Sequence, residues 1–179
     1  MIQLTVLMWS MALLFGYIGF ARGWNKELIS TSGIILGLFA LSEFADVIDN
    51  LLANIPADQG FAVRAAIFSL IVFFAYQTRA VIGEEGGGGR RSGDGRDELQ
   101  TSILGAIVGF INGYLVWGSL WSLMDATNYP LSPYITRPTA GSPSAAFLDN
   151  LPLALLNSGD GNLLAAAVIV LFLIVLIVI

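Results

Sequence analysis

The chain has 179 residues, 56% of them hydrophobic and 12% charged, with a net charge of −5 at pH 7. Its mean hydropathy of +0.77 lies well above that of a soluble globular domain and marks an all-α integral membrane protein. With no cysteine and no histidine, disulfides, thiolate metal sites, iron–sulfur clusters, covalent haem and imidazole-based catalysis are excluded, and the acidic balance argues against nucleic acid as a partner.

Apolar stretches near the roughly 20 residues needed to cross the hydrocarbon core predict about five transmembrane helices. The first covers Leu4–Ala21. It has no basic leader and no small-x-small cleavage site, so it is expected to be retained rather than removed as a signal peptide. It runs into "GYIGFARGWNKELIS", residues 16–30, which reads as a tight helical hairpin. Arg22 suits the negative end of the first helix dipole, and Gly23 permits a sharp turn. Asn25 is the expected N-cap of the second helix, and Glu27 suits its positive end. These roles account for every residue of the hinge, the alternative being a ligand role for its charges.

The second span, Leu28–Ala45, carries Gly33 and Gly37. A short acidic loop, 46–60, leads to the third span, Phe61–Thr78. The third loop, 79–101, is rich in glycine and charge ("GEEGGGGRRSGDGRDE") and is expected to be flexible. It lacks the Lys-Ser/Thr of a phosphate-binding loop and the ligand spacing of a Ca²⁺ loop. The fourth span, Ser102–Leu123, contains "GAIVGFING", with Gly105, Gly109 and Gly113 on one helix face. Together with Gly19 and Gly23 of the first span and the Gly33/Gly37 pair, these predict glycine-rich helix packing, since small residues let backbones approach closely in lipid. Asn112 beside that seam is expected to hydrogen-bond across it, for about 1 kcal/mol. A packing role is preferred there to a substrate site.

Residues 124–162 form the longest loop, with prolines at 130, 133, 138, 143 and 152. "SPSAAFLDNLPLALL" within it fits either a short amphipathic helix on the membrane surface or a partly buried loop helix. The last span, 163–179, is apolar all round. With no preferred face it reads as a lipid anchor or as a strip lying against a partner. The organisation is thus a four-helix core over 1–123, a proline-rich external loop over 124–162 and an anchor helix over 163–179.

Arginine and lysine set the orientation. Arg22 and Lys26 lie in the first loop and Arg79, Arg90, Arg91 and Arg96 in the third. Only Arg64 and Arg137 flank the loops on the other side, which places the N-terminus outside and the C-terminus inside. Trp24 and Tyr76 are expected as inner aromatic anchors, Trp117 and Trp121 as outer ones. No span carries an ionisable residue near its midpoint, which counts against a pump or coupled transporter. A passive pore assembled from several copies stays open.

The hinge and the glycine seam together resemble the colicin V production (CvpA) family. The shared pattern is Gly19, Arg22, Gly23, Trp24, Glu27 and "LISTSGIILG", followed by "DELQTSILGAIVGFING", and the resemblance covers about residues 5–123. Gln3 stands where that family usually has an acidic residue, and Asn112 where it commonly has arginine. The third loop and fifth span look like additions. The resemblance implies a non-enzymatic protein of the bacterial inner membrane, without cofactors, linked to toxin production or secretion or to envelope homeostasis. Two other readings stand beside it. One is an accessory or assembly subunit of a larger respiratory or photosynthetic complex, and the other is a homo-oligomeric channel. In each case the partners are the lipid bilayer and other membrane subunits or further copies of the chain.

Overall fold

The computed structural model describes residues 3–82, 95–156 and 162–178, and what it describes is helical apart from turns and one long loop. The first two helices, α1 (Leu4–Arg22) and α2 (Trp24–Glu43), are separated by a single residue. Gly23 has φ +81°, a region open to glycine and strained for other residues. Its N–H closes α1 on the Gly19 carbonyl at 2.9 Å, and the same residue is the N-cap of α2, with no side-chain cap. The expected Asn25 cap is therefore corrected. One residue completes the turn, the helix has begun at Trp24, and the Asn25 Oδ1 is buried without a hydrogen-bond partner.

The second span also ends earlier than expected. At Phe44 (φ −96°, ψ 14°) the helix stops, and α3 (Ala45–Leu52) leaves it at 61°. Neither proline nor glycine marks the bend. Helices α4 (Ala57–Ile82) and α5 (Gly95–Ala126) both overrun their predicted spans. They take in residues 79–82 and 95–101 of the segment expected to be a flexible loop; the rest of that segment, 83–94, lies outside the described residues.

Helix α5 is the centre of the bundle, packed against α1 most extensively and also against α2 and α4. Phe68, Ile34, Leu38 and Met8 are among the most deeply buried side chains. The long loop folds back onto this bundle as α6 (Pro143–Ala146), a 3₁₀ turn (Leu148–Asn150) and α7 (Pro152–Leu156). The Ser142 side chain caps α6 by accepting from the Ala145 N–H at 3.1 Å. Thr5 Oγ1 donates to Ser144 Oγ at 3.0 Å. The Phe147 ring meets Trp9 edge-on at 5.7 Å and stacks on Trp121 at 6.3 Å. Of the two readings of this segment the partly buried one fits, as three short pieces, each tied to α1 or α5, with Ser144, Leu151 and Pro152 buried.

Helix α8 (Asn162–Val178) packs along α2. Leu164 is 3% exposed, with Ala167, Val168 and Leu171 against the core. This is an i, i+3, i+4, i+7 stripe, so a helix whose composition shows no preferred face nevertheless has one. Three stretches are long and apolar enough to cross a membrane: α1, Ala57–Gln77 of α4 and Asp97–Ala126 of α5. The bent α2–α3 pair makes a fourth when taken as one span, and α8 holds a shorter apolar stretch, Leu163–Ile174. The molecule is a multi-pass membrane protein whose apolar helices call for a lipid bilayer.

Candidate functional site

Two arrangements converge on α5. The first is made of glycine. A Cβ on Gly19 would lie 2.9 Å from the Gly109 Cα, one on Gly105 2.8 Å from the Gly23 carbonyl carbon, and one on Gly113 2.6 Å from the Ala12 Cα. Each clash is with backbone, which cannot swing aside. The Gly33/Gly37 pair faces a different helix: Gly33 lies over Ala75, and a Cβ on Gly37 would sit 3.1 Å from Ile71 Cγ2, both on α4.

The second arrangement is polar. Glu27, in the first turn of α2, is fully buried, with side-chain exposure of 0%. Its Oε1 accepts from Arg22 Nη1 at 2.7 Å. Its Oε2 accepts from Asn112 Nδ2 at 2.8 Å and from the Tyr76 hydroxyl at 3.1 Å. The Asn112 amide also reaches the Glu27 carbonyl at 3.2 Å. The Thr31 hydroxyl lies 2.7 Å from Asn112 Oδ1 and 2.8 Å from that same carbonyl, so its single proton is shared between two acceptors. Arg22 spends its other nitrogen on the Tyr76 carbonyl, Nη2 to O at 3.2 Å. Its guanidinium lies 4.4 Å from the centroid of the Tyr76 ring, a cation–π contact. Phe15 closes the far side, edge-on to Tyr76 at 5.8 Å.

Four helices thus meet at one carboxylate. Isolated in an apolar interior, that charge would cost far more than any single contact returns. Here a cation and two neutral donors take up both oxygens, and charge-assisted bonds of this length are the strong ones. Arg22, with 23% of its side chain exposed, links the cluster to a small cleft bordered by Lys26, Ile29, Ala75 and Tyr76. Among the described residues no group of three or more carboxylates, cysteines or histidines could hold a metal ion.

Of the residues singled out in the sequence, Arg22, Glu27 and Asn112 come together in this cluster. Gly23 supplies the turn, while Trp24 begins α2 without joining the cluster. One expectation is corrected. Tyr76 is no interfacial anchor; its hydroxyl and ring are engaged by Glu27 and Arg22. Glu27 lies in the first turn of α2 rather than near the middle of that helix, and its carboxylate is buried where the turn packs on Asn112 of α5. Thr31 and Ser30 were missed, although "STS" in an otherwise apolar helix was a visible signal. Ser30 Oγ accepts from Arg22 Nη1 at 3.4 Å.

Comparison with known families matches residues 4–152 to the colicin V production protein family. The chain belongs to the colicin V production family. The match reaches past the resemblance read from the hinge and seam, taking in the long loop with α6 and the start of α7, and it stops before α8. Both halves of the polar cluster and the whole α1–α5 contact lie inside the family region. Neither the search of curated proteins nor that of solved structures returns a match.

Proposed function

We propose that this member of the colicin V production family is a non-enzymatic scaffold of the bacterial inner membrane, acting in toxin production or secretion or in envelope homeostasis. The observation that carries the proposal is the closure of the polar cluster. Both Glu27 oxygens and the Asn112 amide are engaged within the chain, as suits an internal lock better than a reacting group awaiting substrate. The scaffold works by presenting its lipid-facing helices to other membrane subunits or to further copies of itself. The proposal includes five spans, with α8 as the fifth, the N-terminus outside and the C-terminus inside. The lysine and arginine distribution of the loops supports that orientation.

The test is deletion of the gene, scored for toxin export and for sensitivity to envelope stress, with complementation by the intact chain. A deletion strain without either phenotype would remove the proposal. A gentle-detergent pull-down bears on how the scaffold works. Recovery at constant ratio with haem- or pigment-bearing subunits would replace it with an accessory-subunit role. A ring of identical copies that conducts ions in liposomes would replace it with a channel. Because the chain has no cysteine, orientation is read from Gly88→Cys and Tyr134→Cys. An impermeant thiol reagent added to intact cells should label only the second.

A further inference from the structure

Helix α3 is unlike the other long-range elements of the bundle. It has no buried residue, yet it is not polar. On a helical projection Phe44, Val47, Ile48, Leu51 and Leu52 share one side, while Asp46, Asp49 and Asn50 share the other. Ile48 packs on the core, so one edge of the apolar side is docked. The remainder is bare: Phe44 is 59% exposed, Val47 55% and Leu51 74%. On the polar side Asp49 is paired with Arg64 of α4.

The 61° bend decides what this bare face meets. Helix α2 has 20 residues, about 30 Å at 1.5 Å each, so by length it reaches across the hydrocarbon, although it is apolar enough to count as a span only together with α3. Tilted by 61°, the eight residues of α3 advance only about 6 Å further along the α2 axis. On the neighbouring helices Leu36 of α2 and Val63 of α4 are exposed as well. We infer that α3 is an interfacial helix. It lies in the headgroup region of the bilayer, with Phe44, Val47 and Leu51 dipping into the acyl boundary and Asp46, Asp49 and Asn50 facing water. The occupant of the apolar face is the lipid surface itself. The helix is neither the end of a continuous span nor a re-entrant segment. It fixes the height of the α2 C-terminus, and through α2 the depth at which Glu27 meets α5.

The test uses single-cysteine variants of the full chain, Asp46→Cys, Val47→Cys, Asn50→Cys and Leu51→Cys, each spin-labelled and reconstituted in phosphatidylethanolamine–phosphatidylglycerol vesicles. All four positions are exposed, so folding is preserved, and size-exclusion elution confirms it. The expected result is accessibility that alternates with helical period: 47 and 51 relaxed by oxygen at shallow depth, 46 and 50 by a water-soluble nickel chelate. Uniform access of the nickel chelate to all four would overturn the inference in favour of a solvent loop. Uniform protection, with oxygen relaxation rising towards mid-bilayer values at 51, would overturn it in favour of a broken span or re-entrant segment.

Discussion

The two sides of α5 are built on opposite principles. Toward α1 it offers glycine, and the helices touch backbone to backbone from Gly105 to Gly113. Toward α2 and α4 it offers Asn112 and closes on a buried carboxylate. The glycine side gains from close approach, but smooth surfaces define the sliding register weakly. The polar side gains little net energy, because desolvation offsets most of the attraction. Its bonds hold only in one alignment of Arg22, Glu27, Tyr76 and Asn112. One side supplies proximity and the other register.

The comparison is broken most severely at Glu27. Glu27→Ala leaves the Arg22 guanidinium, the Asn112 amide and the Tyr76 hydroxyl facing a void, and should cost about 3–5 kcal/mol. Unfolding in mixed micelles by titrated SDS measures this. A loss below about 1 kcal/mol, the level of an exposed ion pair, would show that the cluster is wet and that register is set elsewhere. Glu27→Leu combined with Arg22→Met should recover much of the loss, since neither charge is then stranded. If the double variant stays folded but forms a different set of oligomers, the polar side encodes register rather than stability.

The glycine side should come next. Gly109→Ala places a methyl 2.9 Å from the Gly19 Cα. The resulting strain or separation should cost about 1–3 kcal/mol, and Gly109→Leu more. The control is Gly60 in the first turn of α4. A Cβ there has its nearest neighbour at 3.4 Å, the Arg64 Nη1, an ordinary van der Waals distance, so Gly60→Ala should be neutral or gain up to about 1 kcal/mol from helix propensity. Equal destabilisation at both glycines would dissolve the distinction between the seam and a glycine with room for a methyl.

These two regions also differ in how legible they were. The apolar stretches of α1, α2, α4 and α5 and the four-residue glycine spacing are local features, and a linear reading finds them. Glu27 and Asn112 are 85 positions apart, and nothing in either neighbourhood names the other. Tyr76 was misread because a tyrosine near the end of an apolar stretch has the same local signature whether it meets headgroups or a buried carboxylate. Only the third dimension separates the two. The bend at Phe44 carried no proline or glycine to announce it, although the acidic run 46–50 beginning two residues later hinted that the span had ended. The α8 face was invisible for a different reason. When every residue is apolar, periodicity is lost, and only the shape of α2 decides which side is covered.

Within the polar side, Tyr76→Phe probes a single bond. It removes the 3.1 Å donor to Glu27 Oε2 while Asn112 keeps that oxygen engaged at 2.8 Å. The ring and its cation–π contact with Arg22 remain. The expected loss is about 0.5–1.5 kcal/mol. A double-mutant cycle with Asn112→Ala should give non-additive values, because both donors serve the same oxygen. Strict additivity would mean that they act independently, and the cluster would be a coincidence of neighbours.

The smallest effect has the most informative sign. If Asn25 capped α2, Asn25→Ala would cost about 0.5–2 kcal/mol. The helix instead begins at Trp24 after Gly23, and the Asn25 Oδ1 is buried with no partner. Alanine removes an acceptor already desolvated without return, and it is also the better helix former. Asn25→Ala should therefore be neutral or stabilising by up to about 1 kcal/mol. The same SDS titration reads it. A clear loss would return the cap to Asn25, lengthen the turn beyond one residue and move the start of α2. With the start moved, Glu27 would no longer sit one turn in, opposite Asn112, and the register of the polar side would have to be sought in another alignment of α2 on α5.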